Sequence, residues 1–219
     1  MTRNIYLLKT TARILRLASN IMGSCFIVAM LAVNASHVGA ETIKTKGVSM
    51  NTAAPMKSLI IVFSYHHKNT EKIAQTFAKV LDAQIKTPQQ VNPQELQEYA
   101  LIGFGSGIYA AKHHESLFTL ADALPQGNGK KVFIFSTFGA PAGLYDEKGL
   151  KEFVTENHSL LRDKLQSKGY TVIDEFSCPG FNTNSFLKYF GGLNKGRPNA
   201  KDLKKAEECA QHLKQLTGE

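Results

Sequence analysis

The feature of this chain that most constrains its fold is an alternation of short apolar runs with segments of helical periodicity. Strands are predicted at 57–63, 83–86, 99–104, 131–135 and 170–176, of which 57–63 and 99–104 are apolar runs and 83–86 is a short second strand. Four segments with helical spacing or a helix cap predict helices, at 70–82, 114–124, 150–167 and from Asn199 to about 216. A single helical turn is predicted at 93–98. Continuous apolar runs suit strands that are buried on both faces of a sheet.

Strands that alternate with helices form βαβ units with right-handed crossovers, and such units build a parallel sheet. The predicted fold class is therefore α/β, a three-layer doubly wound domain around a five-stranded parallel sheet. In this class, ligands bind at the carboxyl edge of the sheet, where the strand order reverses. Three segments reach that edge, 64–70, 105–114 and 136–146. All three contain aromatic side chains as well as the small and polar residues of simple turns.

The first 40 residues differ in composition from the rest of the chain. They open with four basic residues and no acid, and residues 17–40 then carry no charge. This pattern is typical of a secretory signal or, if uncleaved, of a membrane anchor. A start set too far upstream explains it equally well, because Met50 and Met56 both precede the first strand.

These alternatives predict different locations for the protein. A working signal or anchor predicts export or membrane attachment, whereas translation from Met50 or Met56 predicts a cytoplasmic protein. Residues 41–55 have the small and polar composition of a linker. The predicted folded domain is therefore 56–219.

The net charge of +8 does not indicate nucleic-acid binding once its distribution is considered. Residues 1–55 hold six Lys/Arg and one acid, or +5, whereas 56–219 hold 20 Lys/Arg and 17 Asp/Glu, or +3. Lysines near the C-terminus alternate with Asp202, Glu207 and Glu208, which is typical of a solvated helix face. No nucleic-acid partner is expected.

Cysteine and histidine spacing does not indicate a metal site. The three cysteines, Cys25, Cys178 and Cys209, share no CxxC spacing, and Cys178 is expected to be buried. The histidine pairs at 66–67 and 113–114 have no ligand spacing with carboxylates. No GxSxG motif supports a hydrolase. No metal ligand and no catalytic acid or base is therefore predicted.

The sequence SYHHKNT, residues 64–70, lies between a buried strand and a helix N-terminus. Free backbone amides and the helix dipole favour an anion at such a place. Ser64, Asn69 and Thr70 offer hydroxyl and amide groups, Lys68 offers charge, and one of the two histidines is expected to contact the anion. Neither GxxxxGK[ST] nor GxGxxG occurs in this loop. The loop is therefore predicted to hold an anion.

Four segments together resemble the flavodoxin family. They are SYHHKNTEKIA, YALIGFGSGIY, KVFIFSTFGAP and FGGLNKGRPNAKDLKKAEECA, which follow in this order across 56–216. The chain is similar in particular to flavodoxin-domain proteins with a Ser-x-His-His-x-Asn-Thr phosphate loop. The resemblance implies a flavodoxin-like sheet of strand order 2-1-3-4-5 and an FMN cofactor.

The resemblance also implies which residues contact FMN. The phosphate loop would contribute Ser64, His66, Lys68, Asn69 and Thr70. The two loops that flank the isoalloxazine ring would contribute Ser106, Gly107, Tyr109, Thr137, Phe138 and Gly139. The aromatic residue stacked on the ring would be Tyr109, Phe138 or Tyr145.

Lys68 departs from the commoner flavodoxin loop, which has a glycine at this position. Glycine allows positive φ and a close backbone approach. Lys68 therefore either supplies charge in place of the glycine or marks a changed site. The core is also slightly basic, whereas many flavodoxins are acidic around the flavin, so the resemblance implies a different redox partner or a protein that is not a diffusible carrier.

The long segment 181–199 follows the fifth strand, and long connections of this kind are often functional or interaction surfaces. Its apolar residues, Phe186, Leu187, Tyr189 and Phe190, are expected to pack on the domain. The alternatives are a partner protein or a membrane surface.

The favoured function is that of an FMN-binding, flavodoxin-like electron-transfer protein with a redox partner protein or a small-molecule electron acceptor. Two alternatives stay open. One is a membrane-associated flavodoxin-type dehydrogenase or reductase, of the protoporphyrinogen or quinone kind, with membrane association through the N-terminal extension. The other is a flavin-free doubly wound binding module.

Overall fold

Strands and helices alternate throughout residues 57–218, the part of the chain that the computed structural model describes. The strands are β1 (Ser58–Phe63), β2 (Ala83–Lys86), β3 (Leu101–Gly107), β4 (Lys131–Phe138) and β5 (Thr171–Pro179). The helices are α1 (Asn69–Leu81), α2 (Glu115–Ala123), α3 (Glu147–Ser167) and α4 (Ala200–Thr217). Shorter 3-10 segments are Pro88–Gln90, Pro93–Glu98 and Ser185–Phe190. The signal-like segment 1–40 and the linker 41–55 lie outside the described residues.

The five strands form one parallel sheet in the order β2-β1-β3-β4-β5, which confirms the predicted fold class and strand order. The order reverses between β1 and β3, because the chain moves outward to β2 and then back across β1. At the carboxyl edge Phe63 pairs with Ser106, Gly107 with Thr137, and Phe138 with Pro179. The ends of the central strands are therefore level, and the segments that follow them meet at one edge.

Two apolar clusters cover the two faces of the sheet, because successive side chains of a strand point to opposite faces. In β1, Leu59 and Ile61 pack with residues of α2 and α3. The intervening Ile60 and the following Val62 pack with residues of α1 and α4. The continuous apolar runs in the sequence thus reflect a sheet buried on both sides.

The helices begin where capping side chains satisfy free amides. Asn199 accepts hydrogen bonds from the amides of Lys201 and Asp202 at 3.0 and 3.2 Å, which confirms the predicted cap of the last helix. α3 begins at Glu147 rather than at the predicted 150, because the Asp146 carboxylate accepts a hydrogen bond from the amide of Gly149.

Strands β3, β4 and β5 run further than the apolar pattern predicts, and they end at Gly107, Phe138 and Pro179. Polar residues continue these strands, and their side chains bond to each other inside the protein. The Ser136 hydroxyl lies 2.7 Å from the Ser177 hydroxyl and 2.8 Å from His158 Nε2. Their hydroxyls are satisfied inside the protein, so burial costs them little. A polar residue in this sheet is therefore not a sign that the strand has ended.

The segment 181–199, here called the strap, packs on the domain only in part. Its backbone pairs Asn182 with Leu193, and Leu187 is half-buried. Phe186, Tyr189 and Phe190 are exposed, so the prediction that they pack on the domain was wrong. The six-residue turn Ser185–Phe190 is too short to bury a full helical face, and its aromatic rings point to solvent.

Candidate functional site

The loop between β1 and α1 turns through two left-handed residues. His67 and Lys68 have φ values of 55° and 56°. Lys68 therefore adopts the backbone conformation that glycine favours, although it is not glycine. Its ammonium group lies 2.8 Å from the Glu71 carboxylate and is largely exposed. The lysine thus keeps the backbone turn of the loop but directs its charge to Glu71.

The first turn of α1 presents amides and hydroxyls to the carboxyl edge. The first intrahelical hydrogen bond runs from the amide of Lys72 to the carbonyl of Lys68, so the amides of Asn69 and Thr70 precede the helical ladder. The Ser64 hydroxyl accepts from the amide of Glu71 at 3.2 Å. The buried hydroxyls of Thr70 and Thr137 are 2.8 Å apart, which ties this turn to the end of β4.

A cleft opens where these groups meet the ends of β3, β4 and β5. Every predicted site residue except Lys68 and Ser106 lines it: Ser64, His66, Asn69, Thr70, Gly107, Tyr109, Thr137, Phe138 and Gly139. Ser106 is fully buried and faces the opposite side of β3. It donates to the carbonyl of Gly107 at 2.8 Å and accepts from the amide of His114 at 3.0 Å, so it supports the loop from behind.

The strap supplies a wall of the cleft that the sequence did not predict. The lining also includes Ile108, Gly180, Phe181, Asn182 and Asn184. The Asn182 amide donates to the carbonyl of Gly139 at 3.1 Å. A Cβ on Gly139 would lie 2.5 Å from the Asn182 amide nitrogen, so only glycine allows this approach. The asparagines that follow the fifth strand could have indicated this wall from the sequence. Ligands bind at the carboxyl ends of parallel strands, and β5 ends at the same edge of the sheet.

Both histidines of the first loop contact Thr183 of the strap. The amide of Thr183 donates to His66 Nε2 at 3.2 Å, and the Thr183 hydroxyl lies 3.0 Å from the same nitrogen. His67 Nε2 lies 2.8 Å from that hydroxyl. One proton assignment satisfies all three contacts: His67 donates to Thr183, and Thr183 donates to His66. Burial lowers the pKa of His67, and His66 and Lys72 lower it further.

Asn69 connects the helix N-terminus to the strap and leaves one acceptor open. Its side-chain amide donates to the carbonyl of Phe181 at 2.8 Å. Its Oδ1 atom is buried and has no hydrogen-bond partner among the described residues. A buried acceptor without a donor is uncommon in folded proteins, because it forfeits its bonds to water. In a residue that lines the cleft, it suits a ligand that brings a hydroxyl donor.

The loop after β3 is a tight turn that carries Tyr109. Backbone hydrogen bonds join Tyr109 and Lys112 in both directions, and the two residues between them, Ala110 and Ala111, have φ values of 47° and 60°. This is the geometry of a two-residue hairpin turn that glycine or asparagine usually occupies. The turn folds Tyr109 over Gly107, where a Cβ would lie 2.9 Å from the tyrosine hydroxyl. Burial raises the pKa of Tyr109, so the hydroxyl stays protonated.

Two of the three aromatic residues predicted to stack on a ring line the cleft, Tyr109 and Phe138. Tyr145 does not line it and packs edge-on against Phe138 with the ring centroids 5.7 Å apart. Phe153 of α3 packs on the same ring at 4.8 Å. Tyr145 and Phe153 therefore hold the orientation of Phe138.

A buried histidine network lies behind the cleft, on the α2 and α3 side of the sheet. His113 Nδ1 is 2.9 Å from the Ser106 hydroxyl, and its ring centroid is 4.7 Å from that of His158. His158 contacts Ser136 at 2.8 Å and Glu175 at 3.2 Å. Burial lowers the pKa of both histidines, and for His113 the neighbouring His158 lowers it further. Both imidazoles are therefore neutral at pH 7.

Glu175 closes this network at the surface. Burial would raise its pKa, but hydrogen bonds from Arg162 and His158 hold the pKa at about 2. The guanidinium of Arg162 donates to this carboxylate at 2.8 Å. The carboxylate is therefore ionised at any pH at which the protein would function.

Within residues 57–218, no group of three or more His, Cys, Asp or Glu side chains is placed to hold a metal ion.

Cys178 is buried, as predicted, and burial raises its pKa far above the usual range. Of the helices that the structure describes, none combines the length and the apolar character needed to cross a membrane.

No protein-family model matches the chain. The chain is 49% identical over 158 residues to the Uncharacterized protein MJ0298 of Methanocaldococcus jannaschii, which covers 72% of this chain and 98% of that protein. Among solved structures, it is similar to a flavodoxin from the domain Archaea, with a TM-score of 0.53 and 18% identity over 75% of this chain and 100% of that one. Oxidised Flavodoxin 2 from Bacillus cereus gives a TM-score of 0.53 and 19% identity over 73% and 99%. These structural similarities show a flavodoxin-like fold.

Proposed function

The chain belongs to the same family as protein MJ0298 of Methanocaldococcus jannaschii and has a flavodoxin-like fold, and we propose that it binds FMN and transfers electrons. The cleft described above is the proposed site. The observation that carries the proposal is the open set of hydrogen-bonding groups at the N-terminus of α1. It combines amides that precede the helical ladder with a buried Asn69 acceptor that has no partner among the described residues.

The phosphate group of FMN would bind at the first turn of α1. Backbone amides at a helix N-terminus bind anions through direct hydrogen bonds and the helix dipole. The hydroxyls of Ser64, Thr70 and Thr137, which also line the cleft, would add polar contacts to the phosphate. The Asn69 Oδ1 acceptor suits a hydroxyl of the ribityl chain rather than the phosphate, because two acceptors cannot bond to each other.

Lys68 would contribute little to phosphate binding. Its ammonium group is paired with Glu71 and does not line the cleft. The helix N-terminus and the neighbouring hydroxyls would therefore do most of the phosphate binding. This resembles a neutral hydrogen-bonding site more than a cluster of positive charges.

The isoalloxazine ring would lie between the loops after β3 and β4. Tyr109 and Phe138 offer aromatic surfaces there, and the turn after β3 is fixed by the buried Ser106 behind it. Bound FMN supplies the redox chemistry, and the protein contributes binding, orientation and exclusion of water. The strap covers the first loop through Thr183, so a bound cofactor would be partly shielded from solvent.

The test is FMN binding by the purified full-length chain. We expect a yellow protein, or a colourless one that takes up added FMN and quenches its fluorescence. Thr70→Val should weaken FMN binding about tenfold, because it removes a hydroxyl beside the phosphate position. Thr76→Val is the matched control, since Thr76 lies on the same helix with its hydroxyl bonded to the carbonyl of Lys72 and should leave the affinity unchanged.

A chain that is folded by circular dichroism but neither contains nor takes up FMN would contradict the proposal. That outcome would favour a flavin-free binding module. Equal FMN affinities for Thr70→Val and Thr76→Val would place the phosphate elsewhere.

A further inference from the structure

The strap carries three strongly exposed aromatic side chains in one short turn. Phe186, Tyr189 and Phe190 are 66%, 77% and 81% exposed. They belong to the 3-10 turn Ser185–Phe190, which ends in Gly191 with a φ of 79°. Large apolar groups grouped on the surface of a folded domain indicate a surface that another body covers.

The segment of sequence that contains this turn carries only positive charges. The sequence has no acidic residue between Glu175 and Asp202, whereas Lys188, Lys195 and Lys201 fall in that interval. The remaining cation there, Arg197, is paired with Asp202. The ammonium group of Lys188 lies 4.9 Å from the centroid of the Tyr189 ring, so a cation and an aromatic ring lie side by side on this turn.

We propose that this aromatic turn is a docking surface for an anionic lipid bilayer. Aromatic rings flanked by lysines suit the membrane interface, because the rings enter the boundary between headgroups and acyl chains while the ammonium groups stay among the headgroups. Each lysine close to an anionic leaflet adds electrostatic attraction. The residues of the turn, 185–190, are not among those that line the cleft.

The size of the surface favours a bilayer over a partner protein. Three aromatic side chains bury roughly 450 to 750 Å² even when fully covered, taking about 150 to 250 Å² for each. A stable protein–protein interface takes about 800 Å² from each partner together with a matching shape. A bilayer interface accepts a small apolar wedge without shape complementarity, so the turn provides what a lipid surface needs.

The turn also lies beside the cleft. It begins directly after Asn184, which lines the cleft, and Thr183 before it contacts the first loop. Docking of the turn would therefore bring the carboxyl edge of the sheet close to the lipid headgroups.

The test uses a tryptophan reporter in the full-length chain. The protein contains no tryptophan, so Phe190→Trp introduces a fluorophore without background. Vesicles with about one third phosphatidylserine should shift its emission to shorter wavelength, and pure phosphatidylcholine vesicles should give a smaller shift. Leu160→Trp is the matched control, because Leu160 is 56% exposed on α3 and should report no shift. FMN is left out, so the result does not depend on cofactor binding.

Vesicle sedimentation gives a second measurement. The variant Phe186→Ser/Tyr189→Ser/Phe190→Ser should lower partition into anionic vesicles by about tenfold or more, since it removes most of the apolar area of the turn. The single variant Phe190→Ser should lower it less, and it poses little risk to folding because the ring is 81% exposed.

Several outcomes would overturn the proposal. One is an unshifted emission of the Phe190→Trp reporter at saturating anionic vesicles, and another is an equal shift in the Leu160→Trp control. Equal partition of the triple variant and the wild type would show that other residues bind the lipid. A shift with soluble polyglutamate but not with vesicles would indicate an acidic protein partner, and a concentration-dependent shift without vesicles would indicate a second copy of the chain.

Discussion

Lys68 shows how one residue can keep a backbone shape without keeping the usual side chain. Its φ of 56° is the conformation that a glycine would supply, and its ammonium group is used by Glu71. Of the two interpretations that the sequence allowed, charge supply to the cleft therefore has no support from the geometry. A lysine in this conformation carries a strain of about 1–2 kcal/mol relative to a right-handed residue.

We predict that Lys68→Gly stabilises the protein by about 1 kcal/mol, because glycine adopts the left-handed conformation without this strain. The exposed ion pair that is lost contributes little. The measurement is the free energy of unfolding in urea.

Lys68→Ala is the control for this prediction. It also removes the charge but keeps a Cβ at positive φ, so its stability should stay close to that of the wild type or below it. Equal stability of the glycine and alanine variants would show that the loop relaxes freely and that the residue is not strained.

Residue spacing predicted most of the cleft lining but not which way each side chain points. Ser106 and Gly107 are adjacent in sequence, and they face opposite sides because β3 continues through both of them. The apolar pattern ended the strand at residue 104, so both were expected to lie in one loop and to face one ligand. The error arises because a buried serine with satisfied hydrogen bonds looks like a loop residue in the sequence.

At the scale of elements, the sequence predicted the strands and helices well because each is a local pattern. The strap is different, since its position depends on contacts with a distant loop. His67 and Thr183 are 116 residues apart along the chain, and no periodicity connects them. A long polar connection in the sequence indicates only that its polar groups need hydrogen-bond partners. The tertiary structure determines which residues those partners are.

We predict that Thr183→Ala loosens the strap without unfolding the domain. The variant loses the hydroxyl that lies between His66 and His67, while the paired backbone of Asn182 and Leu193 remains. Amide hydrogen exchange of residues 182–193 should become about five- to tenfold faster, as expected for the loss of about 1 kcal/mol from local contacts. Exchange in the central strands β3 and β4 should not change.

Thr119→Ala is the matched control for the strap variant. Thr119 is an exposed threonine of α2 whose hydroxyl bonds only to the carbonyl of Glu115. It should leave exchange in the strap unaltered. Equal exchange rates in the strap for Thr183→Ala and the wild type would mean that the histidine contacts do not hold it.

At the scale of the whole molecule, the two faces of the sheet have different roles at the carboxyl edge. Thr70 and Thr137 join on the α1 side, where the cleft opens. On the α2 and α3 side, Ser106, His113 and His158 form a buried network that supports the same strand ends. The strand ends that form the cleft therefore rest on a network that contains two buried histidines.

This network predicts how stability depends on pH. His113 and His158 have pKa values lowered by burial, whereas the unfolded chain protonates its histidines near pH 6.5. Below that pH the unfolded state binds more protons than the folded state, so the stability that is present above pH 6.5 is lost as the pH falls. The loss amounts to up to about 1.4 kcal/mol per pH unit for each histidine. Glu175 adds a further loss only below its ordinary pKa of 4.5, since its folded value is about 2.

Urea unfolding between about pH 7.5 and pH 5 measures this dependence. His113→Gln should be less stable at pH 7.5 because it disturbs the contact with Ser106, and its stability should fall less steeply with acidification because one buried neutral imidazole is gone. Thr119→Ala changes no ionisable group and serves as the control, with a slope close to that of the wild type. If His113→Gln and the wild type lose stability at the same rate over this range, the acid sensitivity comes from other groups, and His113 takes up protons equally in the folded and unfolded states.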